Sequence, residues 1–251
     1  STAFHTACPE PVEWAQDDGM FWLHKYIIAI IYLNFCIAMA QPGSAKDDSA
    51  NFSRYEEANN TAPQGAVVFM GNSITQNWYK AHPDFFTANN YLCRGIGGQT
   101  TMQMLVRFRR DVIDLKPKVV VIMAGTNDIA RNLGYISPEN TLGNMISMVE
   151  LAQANKIKVI LCSILPAYEF RWRKELKPAD DIIALNNRIK TYAAQHKIPY
   201  VDYHSAMKDS RNGLPEKYAK DGVHPLPEGY DVMEGVVKPV IDKVVKAKNK
   251  K

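Results

Sequence analysis

The chain has 251 residues, of which 46% are hydrophobic and 22% are charged, as in an ordinary globular domain with extensions. Its formal net charge of +4 is small, and no basic stripe is interleaved with aromatic side chains, so the sequence gives no support to nucleic-acid binding. The four cysteines include no C-x-x-C pair, which argues against a cysteine-ligated metal site.

Residues 1–40 have the pattern of a secretory signal peptide that follows an unrelated upstream segment. Residues 1–19 are of mixed polarity without periodicity, and we expect them to contribute nothing to the fold. Residues 20–40 hold a short basic region, an apolar run from Tyr26 to Met39 and an Ala-x-Ala end, which together predict a signal peptide. At about 14 residues the run is short for a membrane span of ~20, and a retained anchor is the alternative. We therefore expect a secreted or periplasmic protein without a stable membrane span after cleavage.

A polar leader over residues 41–64 precedes the folded domain, which we expect to occupy residues 65–247. The leader is rich in Ala, Ser, Asn and Asp with Pro and Gly breakers, and one helical turn is expected around Tyr55–Ala58. The domain is long enough to bury one substantial core.

Five apolar runs of strand length follow one another along the domain. The runs Val119–Met123 and Val159–Cys162 are continuous rather than alternating, which suits strands covered on both faces of a parallel sheet. The predicted strands are Ala66–Met70, Tyr91–Cys93, Val119–Met123, Lys158–Ser163 and Tyr200–Asp202.

Segments with helical periodicity separate these strands. In the first of them Met104 and Phe108 belong to an apolar stripe, while Arg107 and Asp111 fall outside it. The repeated alternation of strand and helix indicates an open α/β sandwich, whose ligand site lies beyond the carboxyl ends of the strands. The predicted helices are Thr101–Leu115, Pro138–Asn155, Pro178–His196 and Pro227–Lys246.

Four short segments with reactive or hydrogen-bonding residues stand after these strands or before the last helix. They supply a serine, two sets of donors near glycines, and an aspartate with a histidine, which are the parts of a serine hydrolase. Each segment alone is a weak signal, but their order and common position predict one site. The segments are Gly71-Asn72-Ser73-Ile74-Thr75, Gly95-Ile96-Gly97-Gly98-Gln99-Thr100, Gly125-Thr126-Asn127-Asp128 and Asp221-Gly222-Val223-His224-Pro225.

The first and last segments are candidates for the nucleophile and its base. Ser73 follows a strand and precedes a helix expected near Thr75, so its N–H would lie at a positive helix end; a plain N-cap is the alternative. Asp221 and His224 are three residues apart, which can bring the carboxylate to Nδ1 and leave Nε2 facing the serine. A surface Asp–His pair is the alternative there, and a metal role lacks a third ligand at a recognisable spacing.

The two middle segments can supply donors to an oxyanion. Gly97 and Gly98 permit a backbone conformation that aims an N–H into a pocket, and Asn127 offers an amide N–H that does not titrate. The simpler interpretations are a strand-to-helix turn and an ordinary turn residue. Asp128 is expected to cap locally rather than to take part in chemistry. His82, His196 and His204 have no partner pattern and are expected to be structural or surface residues.

Taken together, the four segments resemble those of the SGNH (GDSL) hydrolase family, and the resemblance extends over about Val67 to Val244. It implies Ser73 as nucleophile, His224 as base and Asp221 as its partner. The implied oxyanion hole consists of donors from Ser73, Gly98 and Asn127. The first segment departs from the commonest form because Asn72 stands where aspartate is usual, at a position that is not catalytic in the family.

The resemblance also implies a fold and a chemistry. The fold would be a flavodoxin-like three-layer α/β/α sandwich with a five-stranded parallel sheet in the order 2-1-3-4-5. In that order the strands that bear Cys93 and Cys162 are well separated, so free thiols are expected. The implied reaction is ester hydrolysis through an acyl-enzyme, without a metal or other cofactor. The sequence gives no indication of the oligomeric state.

The substrate is indicated by fewer residues. Trp78, Tyr168 and Trp172 are candidates for substrate binding because aromatic rings can stack on sugar faces, with partial core packing as the alternative for the Trp172 loop. There is no long apolar insertion to shelter a fatty chain, and secreted proteins of this kind resemble carbohydrate O-acetylesterases. We therefore expect a secreted esterase that removes acetyl or another small acyl group from a small-molecule or glycan ester. The alternatives are a lysophospholipase or short-chain lipid esterase, and a non-catalytic glycan-binding module.

Overall fold

The computed structural model describes residues 48–247. The upstream segment, the expected signal peptide and the first part of the expected leader, residues 1–47, lie outside the described residues, as do residues 248–251. Within the described part of the chain, no helix combines the length and the apolar character needed to cross a membrane.

Five parallel strands form one sheet in the order β2-β1-β3-β4-β5, which confirms the predicted order and fold class. The strands at the centre of the sheet are buried along their whole length because helices cover both faces, as the continuous apolar runs predicted. The strands are β1 Val67–Gly71, β2 Tyr91–Gly95, β3 Val119–Ile122, β4 Lys158–Cys162 and β5 Tyr200–Val201.

Three of the four predicted helices lie within one residue of their predicted bounds. The predicted helix Thr101–Leu115 is divided, because its last residues form a separate 3-10 turn, Ile113–Leu115. The helices are α1 Glu56–Asn60, α2 Ser73–Ala81, α3 Pro83–Thr87, α4 Thr101–Asp111, α5 Thr126–Ile129, α6 Pro138–Ala154, α7 Pro178–Gln195, α8 Tyr203–Met207 and α9 Pro227–Lys246.

Two apolar layers fill the space between the sheet and the helices. Val68 and Met70 of β1 point into one layer, and Val67 and Phe69 point into the other, because successive side chains of a strand face opposite ways. The first layer packs against α4, α6 and α7, and the second against α2, α3, α8 and α9. The result is the predicted three-layer sandwich.

Two charged residues of α4 lie inside the fold although the sequence periodicity left them outside the apolar stripe. Arg107 and Asp111 are 0% and 1% exposed, and Arg107 Nη1 lies 2.7 Å from Asp111 Oδ2. Burial of either charge alone would be strongly unfavourable, whereas the pair neutralises and hydrogen-bonds itself.

Glycines end the first two strands where α2 passes close to them. A Cβ at Gly71 would overlap the Thr75 side chain, and a Cβ at Gly95 would overlap the backbone nitrogen of Gln76. The first turn of α2 therefore lies directly against the carboxyl ends of β1 and β2. Ser73, the first residue of α2, is held at that edge of the sheet.

Residues 48–62 belong to the expected leader and pack on the domain through polar side chains. The helical turn expected at Tyr55–Ala58 is present as α1, preceded by a 3-10 turn, Phe52–Tyr55. The Tyr55 hydroxyl donates to Gly95 O at 2.5 Å, and Arg94 Nε donates to Asn59 Oδ1 at 2.8 Å. Because hydrogen bonds rather than an apolar stripe attach this segment, hydrophobic periodicity gave no sign of it.

Both cysteines of the described residues are buried free thiols, as the strand order implied. Cys93 on β2 and Cys162 on β4 are separated by β1 and β3. Burial raises the pKa of each thiol, in the case of Cys162 to about 12, so neither is a reactive thiolate at neutral pH.

Candidate active site

Ser73 is the first residue of α2, two residues earlier than the helix start expected from the sequence. Asn72 is the N-cap, and its side-chain oxygen accepts the N–H of Ile74 at 3.0 Å. The alternative interpretation of Ser73 as a plain N-cap is therefore wrong, because Asn72 caps the helix. The Ser73 hydroxyl remains available, and the Ser73 N–H is one of the helix-end donors without an intrahelical acceptor.

The Ser73 hydroxyl, the His224 ring and the Asp221 carboxylate form one hydrogen-bonded relay. Ser73 Oγ lies 2.9 Å from His224 Nε2, and His224 Nδ1 lies 2.6 Å from Asp221 Oδ2. With the proton on Nδ1, the ring donates to Asp221 and Nε2 is left to accept from Ser73. The interpretation of Asp221 and His224 as an isolated surface pair is therefore wrong.

The loop that carries this pair is held by its own hydrogen bonds. Asp221 Oδ1 accepts the N–H of Val223 at 2.9 Å and the N–H of His224 at 2.8 Å. Partial burial would raise the pKa of Asp221, but the hydrogen bonds from the His224 backbone, the His224 side chain and the Val223 backbone outweigh it and lower the pKa. Asp221 therefore stays ionised at neutral pH and can orient the imidazole.

The turn after β2 passes close to Ser73, since a Cβ at Gly97 would lie 3.8 Å from Ser73 Cβ. Gly98 has a φ of +77°, the left-handed conformation that favours glycine, and within residues 48–247 its N–H has no protein acceptor. The neighbouring N–H of Gly97 is already used, because it donates to Gln76 Oε1 at 2.8 Å. Of the two glycines, Gly98 is therefore the one with a free donor.

Asn127 lies in the first turn of α5 and is 5% exposed. Its Nδ2 donates to the backbone oxygen of Gln99 at 2.9 Å, which fixes the orientation of the amide and ties the β3 loop to the β2 loop. The second N–H of the same nitrogen is free of that bond.

Asp128 is a capping residue, but it caps a different helix from its own. Its carboxylate accepts the N–H of Thr101 at 3.0 Å and the Thr101 hydroxyl at 2.5 Å, at the start of α4. Burial raises the pKa of Asp128, although the hydrogen bonds from Thr101 act against this. The expectation that Asp128 is structural agrees with these contacts, while the expected local cap does not.

Trp78 is not part of the substrate surface, so this prediction is wrong. The residue is 1% exposed, and its ring stacks on those of Phe85 and Tyr230 at 5.3 and 5.6 Å between centroids. Trp78 follows Ile74 by four residues and shares its core-facing side of α2, so burial of the large ring outweighs exposure near the site.

The other two aromatic candidates are on the surface. Trp172 is 45% exposed and lies above His224, with 6.4 Å between ring centroids, and it also stacks on the fully buried Phe170 at 5.1 Å. Tyr168 is 44% exposed, and its ring contacts the guanidinium of Arg211. Trp172 is thus beside His224, whereas Tyr168 contacts Arg211 in a neighbouring loop.

A polar cavity of about 410 Å³ opens beside the Gly97–Gly98 turn. Sequence reasoning missed it because its walls come from distant parts of the chain, including the expected leader. The polar residues that line it include Asp48, Asn51, Gln103, Asn132 and Arg173.

One side-chain cluster of the described residues has the composition of a metal site. His82 Nδ1 lies 2.7 Å from Glu234 Oε1 and 3.9 Å from Asp231 Oδ1. The same Glu234 oxygen accepts Trp78 Nε1–H at 2.9 Å, so the carboxylate is already used as an acceptor for two side chains. The cluster lies at the opposite end of α2 from Ser73, and we interpret His82 as structural.

A family profile and a solved structure both match the chain to GDSL-like lipases and acylhydrolases. The GDSL-like Lipase/Acylhydrolase family profile matches residues 69–232. A solved structure of a GDSL-like lipase from Bacteroides thetaiotaomicron VPI-5482 is 52% identical, with a TM-score of 0.75, covering 77% of this chain and 98% of that one.

Two curated relatives carry named activities. An acetylxylan esterase from Xylanibacter ruminicola is 29% identical over 207 residues, which are 68% of this chain and 42% of the relative. The platelet-activating factor acetylhydrolase IB subunit alpha2 from Homo sapiens is 31% identical over 108 residues, which are 41% of this chain and 45% of the relative. The chain spans less than half the length of the curated relatives it matches.

Proposed function

Because the chain belongs to the GDSL-like lipase/acylhydrolase family, we propose that it hydrolyses carboxylic esters through an acyl-enzyme on Ser73. The observation that carries the proposal is the continuous relay, with 2.9 Å between Ser73 Oγ and His224 Nε2 and 2.6 Å between His224 Nδ1 and Asp221 Oδ2. These are hydrogen-bonding distances between a nucleophile, its base and an orienting carboxylate.

In the first half of the reaction, His224 Nε2 takes the proton of the Ser73 hydroxyl as Oγ attacks the ester carbonyl carbon. The carbonyl oxygen becomes an oxyanion that accepts hydrogen bonds from the N–H groups of Ser73 and Gly98 and from Asn127 Nδ2. The intermediate then collapses, and the proton on His224 leaves with the alcohol.

In the second half, a water molecule replaces the alcohol. His224 takes a proton from the water as its oxygen attacks the acyl carbon, and the same donors hold the second oxyanion. Cleavage of the bond to Oγ releases the carboxylic acid, and the proton on His224 returns to Ser73. Asp221 remains ionised throughout and stabilises the imidazolium that forms in both halves.

We further propose that the substrate is an acetylated carbohydrate outside the cytoplasm. The cavity beside Gly98 is lined with amide, carboxylate and guanidinium groups, which suit a polyhydroxylated alcohol, and the exposed ring of Trp172 can stack on a sugar. Similarity to the acetylxylan esterase supports the same substrate class. The signal-peptide pattern of residues 20–40 supports export.

A short-chain lipid ester is the second candidate. It is favoured by similarity to a platelet-activating factor acetylhydrolase subunit, although that match covers 41% of this chain. Both candidates require a site for a small acyl group, so they differ in the alcohol part of the ester.

The test is a substrate panel with Ser73→Ala as control. 4-Nitrophenyl esters from acetate to octanoate measure acyl length, and acetylated xylooligosaccharides are compared with a lysophospholipid and a 2-acetyl phospholipid. We expect the highest kcat/KM on acetate esters and on the acetylated saccharide, labelling of the parent by a fluorophosphonate, and neither activity nor labelling in the variant. A Ser73→Ala protein with parental activity would refute the acyl-enzyme, and a preference for the phospholipid would refute the carbohydrate.

A further inference from the structure

Arg107 joins several parts of the fold that end at the candidate active site. Its side chain is fully buried, and its guanidinium uses all three nitrogens. Nη1 donates to Asp111 at 2.7 Å, and Nη2 donates to Gly71 O at 3.1 Å and to Arg94 O at 2.9 Å. Arg107 therefore holds the carbonyl groups at the carboxyl ends of β1 and β2, two residues before Ser73 and four before Gly98.

The third nitrogen of Arg107 reaches the loop that carries Gly98. Arg107 Nε donates to Gln99 Oε1 at 2.5 Å, and Gln99 Nε2 donates in turn to Ala50 O at 2.7 Å. Gln99 is 3% exposed, so these are the partners of a buried amide. A glutamine suits the position because it accepts from the guanidinium and donates to a carbonyl without adding a charge.

The backbone of Gln99 is linked to two of the proposed oxyanion donors, covalently to Gly98 and by a hydrogen bond to Asn127. Its nitrogen follows the Gly98 residue directly, and its carbonyl oxygen accepts Asn127 Nδ2 at 2.9 Å. A shift of the Gln99 backbone would therefore move the Gly98 turn and the Asn127 amide together. Oxyanion stabilisation depends on donors that are fixed before the charge develops.

We infer that Gln99 and Arg107 are positioning residues that fix the oxyanion donors Gly98 and Asn127. The inference rests on the proposed function of these donors. Gln99 does not touch the reacting atoms in this role. It anchors the loop through its side chain and the Asn127 amide through its carbonyl oxygen.

The principal variant is Gln99→Met, which keeps the length of the side chain but removes both of its hydrogen bonds. We expect kcat on 4-nitrophenyl acetate to fall on the order of 10²-fold with little change in KM, as for a small misplacement of catalytic groups. Gln99→Glu keeps the acceptor for Arg107 but loses the donor to Ala50 and adds a buried charge, so it should recover only part of the rate lost in Gln99→Met. Asn89→Met is the control, because it removes one hydrogen bond, from Asn89 Nδ2 to Phe85 O, just before the amino end of β2 and away from the Gly98 turn at its carboxyl end.

A double-mutant cycle with Asn127→Ala separates positioning from general destabilisation. If Gln99 positions both donors, Gln99→Met should lower kcat by a smaller factor when Asn127 is already absent than in the parent, because only its effect on Gly98 then remains. An equal fold-loss in the two backgrounds would overturn the inference.

Hydrogen–deuterium exchange of the full chain provides a readout that needs no turnover. Peptides that cover residues 95–101 should exchange faster in Gln99→Met than in the parent, while peptides from β4 should be unchanged. Parental exchange in this turn together with parental kcat would overturn the inference. A parent without ester turnover or Ser73 labelling would instead refute the proposed function, and the exchange measurement would still decide whether Gln99 holds the loop.

Discussion

The two sides of Ser73 are built in different ways. On the oxyanion side, Gln99, Arg107 and Asn127 are at most 5% exposed, and each makes a hydrogen bond to a residue at least 28 positions away in the sequence. On the base side, the side chains of Asp221 and His224 are 39% and 32% exposed, and the loop is held by bonds within four residues. The side chains that hold the proposed oxyanion donors are thus part of the core, whereas the proposed base is carried by a locally stiffened surface loop. Substitutions on the base side should change the rate with an effect of about 1 kcal/mol or less on stability, and those on the oxyanion side should change rate and stability together.

The largest effect is expected for His224→Ala. Loss of the base should lower kcat by roughly 10⁴- to 10⁶-fold, as for the histidine of other serine-hydrolase relays. Because the ring is about one third exposed, the free energy of unfolding should change by about 1 kcal/mol or less. Steady-state kinetics and urea unfolding measure the two quantities. A loss of several kcal/mol in His224→Ala would contradict the expectation that the base loop contributes little to stability.

Asp221→Asn is expected to be the next largest. The amide would present N–H to His224 Nδ1 and favour the wrong tautomer, so kcat should fall about 10⁴-fold. The variant keeps an oxygen for the N–H groups of Val223 and His224, and the loop should remain folded. A kcat within 10-fold of the parent would show that the carboxylate does not orient the ring.

The same variant tests the pH dependence of stability. The pKa of Asp221 is lowered from its ordinary value of 3.8, so its contribution to stability is present above about pH 3.8 and is lost as the pH falls through its folded-state pKa. The contribution should be below about 1 kcal/mol because the carboxylate is more than one third exposed. Unfolding of the parent and Asp221→Asn by urea between pH 3 and pH 7 should give a difference that narrows at the acid end. A difference that widens there would have the wrong sign.

Arg107→Met on the oxyanion side should lower both kcat and stability. It leaves Asp111 buried without its partner and frees the carbonyls of Gly71 and Arg94, so the free energy of unfolding should fall by about 3–5 kcal/mol. Arg110→Met is the matched control on the same helix, because its ion pair with Glu56 is exposed and should contribute about 1 kcal/mol or less. Equal losses in the two variants would contradict the core character of the oxyanion side.

The smallest effect is expected for Trp172→Ala. Its exposed ring lies above His224, and its removal should raise KM for an acetylated saccharide several-fold, equivalent to about 1 kcal/mol, with a smaller change for 4-nitrophenyl acetate. Tyr168→Ala is the control, since that ring contacts Arg211. A larger rise in KM for Tyr168→Ala than for Trp172→Ala would show that the sugar binds at the neighbouring loop instead.

The sequence predicted those features that depend on local pattern. Continuous apolar runs predicted the buried strands, and the position of Ser73 and His224 relative to strands and helices predicted that they meet. Trp78 was assigned wrongly because proximity to Ser73 in sequence does not tell on which face of α2 a residue lies. The Arg107 network could not be predicted from periodicity, because a buried ion pair is stabilised by partners that only the fold brings together.

The attachment of residues 48–62 also has a consequence for the behaviour of the chain in solution. β2 is an outer strand of the sheet, and an outer strand is a template for pairing with other molecules. Tyr55 and Asn59 bond to residues of this strand and, with Ala58 and Ala62, lie alongside it. The short segment therefore covers part of β2 and protects it from edge-to-edge association. We expect a protein shortened to Gly65 to aggregate, although each of its candidate active-site side chains would be intact.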